Sequence, residues 1–307
     1  MKKFLSVTFL LSLIIGIWYY HEDIVTYILD NYIFENEIVL QESNAYASYN
    51  NYTFVQSANN FNPTSKQDLK NIVYTYLDRG WNNFSFYCPE EYFTCIQDMR
   101  ALADDSEILS SINNFVHPFN SYEQLYVTIN NFGKITLQTK FLYSPEEQFS
   151  LIEQVDKILT EITNNQMTDK EKIKAVHDYI INNTKYDQER ADLVKMDRDT
   201  SIQYPSHKAV GALVNGTALC SGYSDAMALF LDKLNIKNYK ISSPEHVWNL
   251  VYLDNNWYHL DLTWDDPVVN TGENLLLDDF FMITTEELKK TDLEQHNFNE
   301  LIFIEAK

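Results

Sequence analysis

From Phe4 to Tyr20 the chain is apolar except at Ser6, Thr8, Ser12 and Gly16, with Lys2 and Lys3 ahead of it and His21, Glu22 and Asp23 behind. Positive charge before such a run stays on the cytoplasmic side, and the chain beyond the run is exported. Its seventeen residues reach the lower limit of ~17–25 for a membrane-crossing helix. The run ends on Trp18, Tyr19 and Tyr20, which suit a membrane boundary, whereas a small-x-small cleavage pattern first occurs at Ala45-Tyr46-Ala47. Residues 1–20 therefore predict a membrane anchor, with a cleaved signal peptide as the alternative. Residues 21–57 are polar and rich in Asn and Tyr, and predict a short helix followed by a spacer.

Regular periods begin at Thr64. Leu69, Ile72, Val73 and Leu77 fall on one helical stripe, with Gly80 as a stop, and predict a helix over 64–77. A second helix is predicted over 90–102. Gln124–Ile129 and Lys134–Leu142 are rich in β-formers and flank Asn130-Asn131-Phe132-Gly133, a hairpin signal. Residues 58–143 are thus expected to form a small α/β domain, a spacer or docking module with no recognisable chemistry.

Two capping boxes come next, Ser144-Pro145-Glu146-Glu147 and Thr168-Asp169-Lys170-Glu171, the first with Pro at the opening helical position. They predict a helix to about Asn164 and another with Ile173, Val176 and Ile180 inward. His177, between apolar neighbours, is expected to be a packed or surface histidine. The polar stretch 187–206 is expected to be a surface excursion. Ala226, Leu229, Phe230 and Leu234 predict a helix that holds Cys220 in or just before its first turn. Strand candidates are Asn238–Ile241, Glu245–Leu253 and Trp257–Trp264, the last two joined by Asp254-Asn255, a pair that tolerates a type I′ turn. Residues 144–307 are expected to form the second domain, and the fold class is α+β, with helices packed on an antiparallel sheet.

Composition narrows the function. Asp and Glu number 44 against 23 Lys and Arg, a net charge of −21, and such a surface repels a phosphate backbone. Nucleic-acid binding is excluded on that ground. Of the three cysteines, Cys88 and Cys95 are seven positions apart and Cys220 stands away from them. In an exported chain the near pair is expected to be a disulfide, with buried free thiols as the alternative. The spacing is not that of a zinc site.

Cys220 is the candidate nucleophile. A helix start offers unpaired N–H groups and the positive end of the macrodipole, which favour a thiolate and can hold an oxyanion. Gly216 and Gly222 would let a substrate backbone come close. With Leu253 opposite Asn256, Trp248 faces Asp261 and His246 faces Thr263, so His246 and Asp261 become diagonal neighbours on one sheet face. A one-residue slip would separate them. Cysteine at a helix start with histidine and aspartate on paired strands is the thiol-enzyme type of triad. His259 shares a face with Asp261 and is the rival base, although its place within the strand suits packing or support. Asp265 and Asp266 suggest strand capping more than metal ligation. No cofactor or metal is implied.

The stretch from Thr168 to Pro267, a third of the chain, resembles the transglutaminase-like superfamily. The matching segments are Cys220-Ser221-Gly222-Tyr223, His246-Val247-Trp248-Asn249 and Trp257-Tyr258-His259-Leu260-Asp261-Leu262-Thr263-Trp264-Asp265-Asp266-Pro267, with Asn183-Thr184-Lys185-Tyr186-Asp187 ahead of them. Val247 departs from the small residue usual after the histidine. The resemblance implies a papain-like core, with Cys220 as nucleophile, His246 as base and Asp261 as its orienter. It implies acyl transfer or hydrolysis at a carboxamide or peptide bond, on a protein or peptide substrate at the cell surface or wall. The contrasting expectation is a surface binding module that keeps the fold without the reaction.

Overall fold

The computed structural model describes residues 12–28, 61–130, 133–196, 201, 203–267, 276–291, 294–303 and 306–307. Residues 12–19 and His21–Ile28 are helical, with Leu13, Ile15, Ile17, Trp18 and Tyr19 exposed. No helix among the described residues is long and apolar enough to cross a membrane. Residues 1–11 of the expected anchor, and the expected spacer beyond Ile28, lie outside the described residues.

Helix α1 (Lys66–Asp78) is capped by Ser65, whose hydroxyl accepts the Asp68 N–H, and it buries Leu69, Ile72, Val73 and Leu77. Strands β1 (Asn83–Tyr87), β2 (Tyr122–Ile129) and β3 (Lys134–Phe141) form an antiparallel sheet in the order β1-β3-β2. Helix α2 (Cys95–Asp104) starts later than the expected Glu90. Pro89–Cys95 turns instead, with the Tyr92 N–H donating to Pro89 O and the Cys95 N–H to Tyr92 O, and the Cys88–Cys95 disulfide closes that loop. Helix α3 (Ser106–Asn114) has no counterpart in the sequence reading; its Ser and Asn residues are weak helix formers, and Asp105 caps it through the Ile108 N–H.

On the loop-closure account a bridge this short stabilises by about 2–3 kcal/mol. Cys88→Ser with Cys95→Ser should therefore lower the unfolding free energy by about that amount in urea titrations. Non-reducing mass spectrometry of the native chain should show this bridge and one alkylatable thiol, Cys220.

Helices α4 (Pro145–Ile162) and α5 (Asp169–Asn183) open on the two capping boxes, and both reciprocal bond pairs are made. After α5 come the short strand β4 (Lys185–Tyr186), helix α6 (Gln188–Lys195), strand β5 (Thr217–Ala218) beside β4, and helix α7 (Cys220–Lys233). The stretch 187–206 is thus partly helical, and it buries Arg190. Strands β6 (Asn238–Ser242), β7 (Val247–Leu253), β8 (Asn256–Leu260) and β9 (Phe281–Ile283) form an antiparallel sheet in that order, followed by α8 (Thr285–Thr291). Asp254 and Asn255 take φ of 51° and 65°, as the type I′ turn requires, and Leu253 pairs with Asn256.

Helices α4, α5 and α7 share a buried cluster that includes Leu151, Val155, Ile173, Val176, Ala226 and Phe230 and reaches Val251 and Leu260 of the sheet. A second cluster runs unbroken from Leu69 and Ile112 to Tyr239, Trp248 and Trp257, joining the three-stranded unit to the four-stranded sheet. This continuity holds the two sheets in one fixed relation.

Candidate functional site

Cys220 is the first residue of α7, preceded by Leu219 in extended conformation with no side-chain cap. The helix start is held by the chain segment before it. The Leu219 N–H donates to Ser206 O at 2.8 Å, and a Cβ on Gly222 would lie 2.5 Å from the same oxygen. Gly222 therefore serves the protein's own packing, and Gly216 takes a left-handed φ of 71° in the turn before β5. The chain's own packing and turn thus account for both glycines without a substrate.

His246 precedes β7 rather than lying in it. Its N–H donates to Ser243 Oγ at 3.1 Å, its carbonyl accepts from the Ser243 N–H, and its ring stacks on Trp248 at 5.5 Å. Strand β8 stops at Leu260 because the Asp261 side chain takes the following backbone. Oδ1 accepts the N–H groups of Thr263 at 2.9 Å and Trp264 at 3.4 Å, a local competition that ends strands. Both residues thus sit just past the strand ends, where the register from the turn still brings them together. His246 Nε2 donates to Asp261 Oδ2 at 2.5 Å, and His246 and Cys220 line the same cavity.

The electrostatics derive from this order. Burial alone would lower the His246 pKa, but the charge and hydrogen bond of Asp261, with Cys220 adding to them, push it up to about 10. Burial would raise Asp261, yet the His246 charge and the bonds from His246 and His296 hold it well below the usual carboxylate range. His246 is therefore held protonated at neutral pH by the Asp261 carboxylate, on the cavity wall it shares with Cys220. His259 is engaged elsewhere: Nδ1 accepts from Trp248 Nε1 at 3.0 Å and Nε2 donates to Thr285 Oγ1 at 2.9 Å. Burial, helped by neighbouring His296, takes it down to about 3, so it stays uncharged.

Asp265 and Asp266 are buried acids rather than strand caps. Asp265 meets His177 Nε2 at 3.0 Å and the Phe280 N–H at 2.9 Å, so buried His177 ties α5 to the connection between β8 and β9. Asp266 accepts from the Tyr223 hydroxyl at 2.5 Å and is pushed up to about 6 by burial. A cavity of about 840 Å³ opens beside Cys220, between α6 and Trp264, with Tyr186 on its wall. Burial, with the charge of Cys220 next, raises the Tyr186 hydroxyl to about 12, so it remains a donor.

Residues 156–262 match the sequence model of the transglutaminase-like superfamily. This stretch is a transglutaminase-like domain. Among solved structures, a crystal structure of a TGase is similar at 16% identity and a TM-score of 0.36, over 47% of this chain and 44% of that one. A candidate cysteine protease from Cytophaga hutchinsonii is similar at 14% identity and a TM-score of 0.27, over 50% of this chain and 65% of that one. The chain thus spans less than two thirds of either. No curated protein sequence matches it.

Beyond the transglutaminase-like domain the structure adds a residue that sequence reasoning missed. His296 Nε2 donates to Asp261 Oδ2 at 2.9 Å, stacked on Phe280 and edge-on to Trp248. No motif near His296 announces it, since the partner lies 35 positions away. The ligating atoms of His246, Asp261 and His296 all lie within 4.8 Å of one another, a donor set suited to a divalent ion. The contacts to Oδ2, however, have hydrogen-bond lengths of 2.5 and 2.9 Å, whereas ligands at ~2.0–2.1 Å around zinc stand about 3.3 Å apart. The three groups have closed on each other as a hydrogen-bonded relay. His296→Gln should slow turnover roughly tenfold, the worth of one charge-assisted hydrogen bond, with little change in KM. Steady-state kinetics on the folded variant check this.

Proposed function

We propose that this chain is a cysteine-dependent acyl-transfer enzyme that acts on a carboxamide or peptide carbonyl of a protein or peptide outside the cytoplasm. The observation that carries the reading is the His246–Asp261 pair, its imidazole held protonated, on the wall of the cavity that Cys220 also lines. Cys220 sulfur attacks the carbonyl carbon, and the oxyanion meets the backbone N–H at the start of α7, with the Tyr186 hydroxyl as a second donor on the cleft wall. His246 gives its proton to the departing nitrogen, the C–N bond breaks, and a thioester remains. Water or an amine then attacks the thioester, His246 takes the proton, and the C–S bond breaks to return the thiolate. Water as acceptor gives hydrolysis; an amine gives transfer. The Cys88–Cys95 bridge supports a position beyond the membrane.

The test is incubation with a fluorescent primary amine and an unfolded glutamine-containing protein, comparing the native chain with Cys220→Ala. Amine incorporation that needs Cys220 supports transfer, and cleavage or deamidation that needs Cys220 supports hydrolysis. Absence of both across a broad panel contradicts the enzyme reading and favours a binding module.

A further inference from the structure

The cleft continues past Cys220. A second cavity, about 310 Å³, also reaches Cys220, and His207, Cys220, Ser221, Pro244, Glu245 and His246 line both. Its far wall comes from the N-terminal unit: Ser110, Asn113 and Asn114 at the end of α3, and Ser121 and Tyr122 where β2 begins. That wall is fixed against the transglutaminase-like domain. Phe115 packs on Tyr239 with ring centres 4.8 Å apart, and Asn114 Nδ2 donates to Ser242 Oγ at 2.7 Å. Lys240, buried, is paired with Asp225 at 2.7 Å and reaches Ser121 Oγ at 3.5 Å.

The two chambers differ in chemistry. The first joins Tyr186, Leu219 and Trp264 to the charged Asp192, Lys195 and Asp266. In the second, the N-terminal wall offers hydroxyls and carboxamides beside Leu142, groups that pair with backbone amides and uncharged polar side chains, while the charged Asp225 and Lys240 are paired with each other. Both volumes are of the order of known ligand sites, ~300–1,000 Å³. A small free amide would fill one chamber and leave the other unused. A chain that presents its carbonyl at the shared waist fills both.

Building on the acyl-transfer reading above, we infer that the N-terminal unit is the second wall of the substrate groove. The acyl donor is an extended polypeptide, and its uncharged polar residues on one side of the reacting carbonyl lie against Ser110, Asn113 and Tyr122. The unit expected from sequence to be a spacer or docking module is then part of the specificity of the site.

The full chain can be tested with three alkylating probes: iodoacetamide, and two Ser/Asn/Gln pentapeptides that carry an iodoacetyl group at the amino or the carboxyl end. One of the two peptides should alkylate Cys220 at least about tenfold faster than iodoacetamide, the worth of one or two hydrogen bonds. Ser110→Trp, at an exposed helix position where a large side chain is tolerated, should bring that peptide to within about twofold of iodoacetamide. Tyr122→Phe should cut the peptide's advantage and keep the packing, and in both variants the iodoacetamide rate should be unchanged. A peptide advantage indifferent to both substitutions, or absent while iodoacetamide reacts rapidly, overturns the inference alone. Slow reaction with iodoacetamide itself overturns the acyl-transfer reading and the inference with it. Protection of Cys220 by a chitin oligosaccharide but not by the unmodified peptides would place a glycan in the groove and overturn the polypeptide assignment.

Discussion

Cys220→Ala is expected to leave no turnover above background, and His246→Ala to lower kcat by at least about 10³-fold. The sulfur has no substitute: the disulfide holds the other two cysteines. His246 has no substitute either. His259 spends both ring nitrogens on Trp248 and Thr285, and His296 points its Nε2 at Asp261. Circular dichroism should show both variants folded, since Cys220 is only half-buried and His246 lies outside the strands, just ahead of β7. Near-native activity in His246→Ala together with loss in His259→Ala would make the assignment of the base wrong. His259→Ala is expected to lose stability instead, because the change leaves Trp248 Nε1 and Thr285 Oγ1 without their buried partner.

Asp261→Asn is expected to slow turnover by about 10³–10⁴-fold while the fold persists, the range seen when a triad carboxylate is made neutral. A second signature accompanies the loss. In the native chain the His246 pKa is raised from an ordinary 6.5 to about 10, so the stability it contributes is full below about 6.5 and is lost as pH rises through about 10. Asp261 is shifted the opposite way, so its contribution is present above its ordinary value near 3.8 and is lost as pH falls through its depressed value. Activity that needs the imidazolium to protonate the leaving nitrogen should therefore hold to high pH and fall near 10. In Asp261→Asn that alkaline limb should move down toward the ordinary imidazole value. A profile of kcat/KM against pH for both proteins reads the shift directly, and an unmoved limb would separate Asp261 from the charge of His246.

Much of this site could be read before any coordinates because its constraints are local. The two capping boxes mark where α4 and α5 begin, and the apolar face from Ala226 to Leu234 marks α7 with Cys220 at its head. The two-residue turn at Asp254-Asn255 sets the pairing, and that pairing alone carries His246 to Asp261. The features that escaped depend on side chains bonding backbone or on distant chain. Asp261 stops β8 by taking the Thr263 and Trp264 N–H groups, a choice between strand and turn that β-forming residues such as Thr263 and Trp264 do not reveal. Pro89–Thr94 turns before α2 instead of opening it. His296 reaches the carboxylate from 35 positions downstream, and Ser110 to Asn114 come to the cleft through the packing of Phe115 on Tyr239.

The central claim, a sulfur activated by His246, is tested most directly by the rate at which iodoacetamide alkylates Cys220 near neutral pH. The expected rate is well above that of a cysteine in an unstructured peptide, confined to Cys220 by peptide mapping and lost in His246→Ala. A rate equal to that of the unstructured peptide, and unchanged when His246 becomes alanine, would contradict it.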